Sequence, residues 1–238
     1  MSFRRLSAST AIVCVALGAA ACSNEASVAF TSSMSFDLST DSLALPAGLR
    51  SDGASGPILT GVPCGPMGMC PPSTGADGVS FECVGGVCDP APKTLSIPVG
   101  DVVDLDVAAG DLRNVLAQAE QVTILRVAHN VTANTLTIDL PSVEIFWGPE
   151  GATAIDEAMG VRRLGTMPAI VARTTGGGDM AIDTAGRDAL SNYIVSMSKR
   201  IKFFGRTVVD LMPGGPYPEG AAAVSVTMDI EARSTIIR

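Results

Sequence analysis

The chain contains one histidine, His129, and any Ser-His-Asp or Cys-His arrangement would have to use it. It lies in the strand-like stretch RVAHNVTAN, and no G-x-S-x-G nucleophile motif occurs in the sequence. His129 therefore reads as a surface or strand-end residue. A catalytic zinc of the usual kind takes two or three histidines, which this chain does not have. Asp101, Asp104, Asp106 and Asp111 gather enough carboxylates for calcium. However, their alternation with Val103, Leu105 and Val107 puts Asp104 and Asp106 on the solvent face of a strand, and the D-x-D-x-D-G order is absent. Gly176, Gly177, Gly178 and Asp179 lack the Lys-Ser/Thr of a phosphate loop and read as a hairpin turn. Glu144, Asp156, Glu157, Asp210 and Glu219 could supply a carboxylate pair for glycoside hydrolysis, but an aromatic content of 4% argues against a sugar-stacking cleft. No catalytic residue, metal ligand or cofactor is assigned.

The cysteines carry more information. At the N-terminus, Arg4 and Arg5 precede an apolar run from Ala11 to Ala21, which ends in Ala19-Ala20-Ala21-Cys22-Ser23. The run has the length of a secretory signal core and is too short to span a bilayer. Small residues directly before a cysteine resemble the lipobox of bacterial lipoproteins, although Ala19 stands where that family usually has Leu. The resemblance implies that residues 1–21 are a signal peptide and that Cys22 is acylated as the first mature residue. Ser23, in place of the Asp that retains such proteins in the inner membrane, implies the outer membrane. Cysteine arithmetic supports this independently. Cys14 leaves with the signal and Cys22 takes the lipid, so Cys64, Cys70, Cys83 and Cys88 remain, an even number in an oxidising compartment.

Those four cysteines form Cys-x5-Cys, a Pro/Gly-rich loop, then Cys-x4-Cys followed by Asp89-Pro90. Zinc is the rival use of four thiols, but the spacings exceed the usual Cys-x2-Cys and an exported thiol is oxidised. Two disulfides are expected, each adding roughly 2–4 kcal/mol to a segment too small for its own core. The "Cys, small loop, Gly, x, Cys" tail at Cys83–Cys88 resembles small EGF-like or EB-type repeats. Of the three possible pairings, that resemblance implies Cys64 with Cys83 and Cys70 with Cys88.

Stepping along the chain, Val28, Phe30, Met34 and Phe36 alternate with small or polar residues, so residues 22–37 hold the lipid site and a strand. Residues 38–62 turn to Ser, Asp, Gly and Pro and read as an extended linker. Residues 63–93 are the Cys-rich segment. From 94 to 238 the period-two pattern resumes, with expected strands at Val103–Val107, Val122–Val127, Leu136–Leu140, Val143–Trp147, Met180–Ile182, Ile201–Leu211 and Val224–Ile230. A bulge or bend is expected at Gly205. Helical spacing occurs at Leu112, Val115, Leu116 and Ala119, and again at Leu190, Ile194 and Met197, where Asp183-Thr184 can cap the start. The expected fold is mainly β: an antiparallel β-sandwich with one or two short helices and a small disulfide-bonded segment.

Removing residues 1–21 leaves 217 of the 238 residues and takes the net charge from −8 to about −10, which disfavours nucleic acid and anionic lipid as partners. The layout of lipobox, strand, Cys segment and sandwich resembles outer-membrane lipoproteins of myxobacterial type. The expectation is a lipid-anchored envelope protein, held to the membrane through Cys22, that acts as a non-enzymatic structural or binding module with an envelope protein as partner. The alternatives are a carboxylate-dependent hydrolase of envelope polysaccharide and a carrier of an apolar ligand between the sheets.

Overall fold

The computed structural model describes residues 25–43, 45, 49–54, 56–70, 80–91 and 93–235. The signal segment and Cys22 lie outside these residues. The strands are β1 (Glu25–Ser39), β2 (Arg50–Gly53), β3 (Gly56–Leu59), β4 (Val62–Pro63), β5 (Phe81–Val84), β6 (Val87–Pro90) and β7 (Lys93–Asp104). Two short helices follow, α1 (Leu105–Ala109) and α2 (Arg113–Ala117), then β8 (Gln121–Asn134), β9 (Val143–Pro149) and β10 (Arg162–Met167). The chain ends with β11 (Gly176–Asp179), β12 (Ala181–Ile182), helix α3 (Thr184–Ser196), β13 (Arg200–Val209) and β14 (Ala221–Thr235).

The strands make two principal antiparallel sheets, in the orders β1-β14-β8-β11 and β12-β10-β9-β13-β7, with small sheets β2-β3 and β4-β6-β5 beside them. Side chains from both principal sheets, including Phe30, Leu38, Ile124, Val226, Ile145, Trp147 and Phe203, form one buried cluster. The molecule is therefore the expected sandwich. Fixed alternation explains the pairing of β1 with β14. Phe30, Phe36 and Leu38 point inward opposite Ile230, Val224 and Ala222, and a one-residue slip would turn all of them to solvent.

The run Val122-Thr-Ile-Leu-Arg-Val does not alternate, and the structure accommodates it with a bulge. The β8–β14 register shifts between Asp229 and Ile230, which leaves Leu125 as an extra residue on β8. Leu125 is then 58% exposed, while Ile124 and Val127 both reach the core. At Gly205, by contrast, the ladder is regular. Gly205 lies opposite Ile145 and Ile97, and the irregularity in the β13–β7 pairing falls between Ile201 and Phe203, where β7 carries extra residues.

Several expectations are corrected. Residues 38–62 are not an extended linker: β2 and β3 form a hairpin, and Leu38, Leu43, Leu49 and Leu59 join the core. Widely spaced leucines supply its apolar anchors, a pattern that local composition hides. The sandwich also begins at β1 rather than at residue 94, because β1 is an edge strand of the first sheet. The expected strand at Val103–Val107 ends at Asp104, whose carboxylate accepts from the Asp106 and Val107 amides and starts α1. Leu136–Leu140 buries Leu136 and Leu140 but is irregular backbone, with Thr137 N–H bonding to the Glu219 carbonyl and Leu140 bridging Ile170. The Gly176–Gly178 run is not a turn but an edge strand against β8. Strand β10 (RRLGTM) escaped the pattern reading because a bulge at Leu164 breaks its period.

Helix α3 starts at Asp183, which accepts from the Gly186 amide, and it buries Leu190 and Ile194. Met197 of the expected apolar face lies past the last turn and is exposed. Gly186 is required at this contact, since a Cβ there would lie 1.7 Å from the Arg163 carbonyl oxygen. Trp147 donates through Nε1 to the Gly186 carbonyl at 3.0 Å and packs on Tyr193, fastening α3 to β9.

Candidate functional site

The Cys segment folds as a small knob. The β5–β6 hairpin turns through Gly85 and Gly86 at φ 61° and 86°, a left-handed pair that only glycine adopts without strain. Disulfides join Cys64 to Cys83 and Cys70 to Cys88, one of the three pairings the sequence allows. Cys83 and Cys88 face each other across the hairpin, so the two bridges lie side by side. The sulfurs of Cys64, Cys70 and Cys88 come within 4.8 Å of one another. In the bridged state these sulfurs are bonded to sulfur and present no thiolate for a metal.

Among the described residues of the knob, Met67, Met69, Val84 and Val87 are exposed, while Phe81 is half-buried against the sandwich core. Met67 has a φ of 63°, and Gly68 beside it approaches Cys83. The Met67–Met69 turn therefore meets the cysteine face of the β5–β6 hairpin, the face opposite Val84 and Val87, and the Cys64 N–H bonds to the Gly86 carbonyl.

The structure separates the other chemistry-bearing residues. His129 is half-buried and does not lie at a strand end. It sits within β8, opposite Val226 and Gly178, on the same face as Val127 and Val131. Its Nδ1 is buried without a hydrogen-bond partner, so no carboxylate orients the ring at that nitrogen as a catalytic triad requires. The aspartates near α1 also divide. Asp104 is spent on capping, and Asp106 and Asp111 border a depression of about 440 Å³ together with Val107, Gly110, Arg113 and Asn114. The side chain of Asp101 lies outside the described residues.

The carboxylates that could form a hydrolytic pair sit on different elements. Glu144 accepts from both Nε and Nη2 of Arg206, at 3.0 and 2.7 Å, and lies 3.3 Å from Arg163. Glu219 pairs with Arg50 at 2.7 Å, Asp156 caps a short turn through the Ala158 amide, and Glu157 lies 3.9 Å from Arg162. Asp210 borders a second depression of about 370 Å³ with Asp139, whose carboxylate is held by the Ala172 amide at 2.7 Å. Sequence reasoning did not single out Asp139; only the loop at 210–216 brings it near Asp210. Both depressions lie at loops on the ends of the sandwich rather than between its sheets.

Groups with shifted acidity are likewise dispersed. The Ser27 hydroxyl, donating at 2.6 Å, and then Arg233 hold the Glu231 carboxyl below its ordinary range. Asp179, bonded at 2.6 Å, raises the Arg126 guanidinium, and partial burial raises the Tyr217 phenol. No two of these three share a depression.

No protein-family model and no curated protein matches this chain. Among solved structures it is similar to a chain from Desmodium yellow mottle tymovirus, with 9% identity and a TM-score of 0.30, over 100% of this chain and 96% of that one. It is also similar to a chain from the structure of infectious bursal disease virus Gx strain, with 11% identity and a TM-score of 0.23, over 95% of this chain and 60% of that one. At these scores neither likeness bears on function.

Proposed function

We propose that the chain is a lipid-anchored protein of the bacterial envelope, acylated at Cys22 and held at the outer membrane, whose body is a non-enzymatic structural or binding module. The observation that carries this reading is the N-terminal sequence: a short apolar run ending in Ala19-Ala20-Ala21-Cys22 with a polar residue directly after it. The pairing of the other four mature cysteines supports it, because Cys22 is then the one sulfur left for a lipid. The dispersal of His129 and the carboxylates supports a binding role over hydrolysis. A binding module can use the exposed Met67 and Met69 of the turn, which disulfides rather than a core hold in place.

Acyl chains that each bury a dozen or more methylenes, at about 0.8 kcal/mol per methylene, would hold the protein to the bilayer without any transmembrane segment. Among the described residues no helix is long and apolar enough to cross a membrane. Cys22→Ala is expected to move the protein from the membrane to the soluble fraction and to abolish metabolic labelling with palmitate. Unchanged labelling would overturn the assignment.

A further inference from the structure

We propose that the body stands end-on at the bilayer, with its α1–α2 end against the membrane surface and the disulfide knob about 45 Å away, a distance set by the length of β1. The proposal rests on acylation at Cys22. Only Ser23 and Asn24 separate that residue from the first residue of β1, so the tether is three chain steps, or about 10 Å. A tether of that length cannot let the body stand off or tumble freely; the end of the sandwich that carries Glu25 must lie near the headgroups.

Register identifies what else lies at that end. Glu25 is opposite Thr235, and Arg233 is opposite Gln121. The Glu120 N–H bonds to the Arg233 carbonyl, so the loop leaving α2 meets the end of β14. In the second sheet, Arg200 is opposite Asp104, and the Leu105 N–H at the start of α1 bonds to the Lys199 carbonyl. This end sets Lys199, Arg200 and Arg233 against Glu25, Asp104, Asp106, Asp111 and Glu120, so the short tether rather than net charge sets the approach.

The other end is fixed by the same ladders. Ser39 is opposite Ala221, and the Thr40 N–H bonds to the Gly220 carbonyl. The β2–β3 hairpin docks there: the Leu59 N–H bonds to the Gly215 carbonyl and the Tyr217 N–H to the Pro57 carbonyl. A Cβ on Gly61 would touch both Val87 and Pro213, which ties the knob to this end. The chain re-enters the second sheet at Lys93, opposite Val209. Between the two ends, β1 pairs with β14 over 15 residues without a register shift, so it acts as a continuous strut. From Ser51 to Pro92 there is no Lys or Arg, while Asp52, Asp77, Glu82 and Asp89 are acidic.

The test uses full-length lipidated protein in vesicles of phosphatidylcholine and phosphatidylglycerol containing a headgroup-linked acceptor dye. A donor is attached through an azide-bearing residue in place of either Asn114 or Met67, both exposed positions. Energy transfer to the vesicle surface is expected to be severalfold stronger from position 114. Equal transfer, or stronger transfer from position 67, would overturn the end-on arrangement. A long flexible Gly-Ser insertion between Asn24 and Glu25 is expected to erase the difference between the two labels; a difference that persists would overturn the role of the tether. If instead the Cys22→Ala protein floats with vesicles as well as the natural one, the anchored reading itself fails, independently of the label positions.

Discussion

Between Phe30 and Ile230 a side chain is held by neighbours from two facing sheets, whereas between Cys64 and Cys88 it is held by covalent bonds to a hairpin. The sandwich buries Leu38, Leu164, Ile201 and Phe203 completely. In the knob, Met67 is 93% exposed, and among its described residues only Cys88 and Pro90 are buried. Both regions leave some apolar side chains exposed, Leu125 and Met197 in the sandwich and Met67 in the knob, but only the sandwich has a core of its own to hold it together. The two regions therefore differ in what holds them, burial in one and covalent bonds in the other.

The largest test of that division is Phe203→Ala. It should cost the sandwich about 3–5 kcal/mol, because a fully buried ring leaves a cavity between tightly packed strands. Urea unfolding followed by Trp147 fluorescence reads this directly; a loss below about 1 kcal/mol would mean that the sheets close over the site more readily than such packing permits. The second test removes the Cys70–Cys88 bridge with a double Cys→Ser change. The loss, about 2–4 kcal/mol, should fall on the knob alone. Proteolysis within residues 64–90 should accelerate while the Trp147 unfolding midpoint stays in place. A midpoint that falls with the bridge would show the two regions to be one cooperative unit.

The smallest test concerns the surface of the sandwich. Glu231 is held below its ordinary pKa chiefly by the Ser27 hydroxyl, so its contribution to stability is complete above the ordinary glutamate range. That contribution disappears as pH falls through the lowered value. Ser27→Ala should move the Glu231 titration, read by carbon-detected NMR, upward toward the ordinary range, with only a slight change in stability because the pair is exposed. A titration that does not move would assign the shift to Arg233 instead.

How far the sequence spoke depended on whether local pattern and long-range pairing agreed. In β1 and β14, alternation is unbroken, and both strands and their buried faces follow from it. In β8 and β10 a bulge interrupts the period at Leu125 and Leu164. A bulge is a property of two strands together, so one strand's sequence shows only a broken pattern. The 38–62 segment misled for a related reason: four leucines spread over 22 positions gain burial only from elements that arrive later in the chain. The candidate site divides along the same line. The four cysteines and their redox state were legible from count and spacing, while the approach of the Met67–Met69 turn to Cys83 required the folded hairpin.

By itself the sequence determined that the four body cysteines pair and that the chain is mainly β, because each depends on residue type over a few adjacent positions. Only the tertiary structure decided which ends of the molecule those features occupy. It placed Glu25 beside Thr235 and the knob at the far end of β1, through pairing between residues roughly two hundred positions apart. No local pattern encodes such contacts, since their cost is the entropy of closing the whole chain and their reward is the burial of a core shared by both sheets.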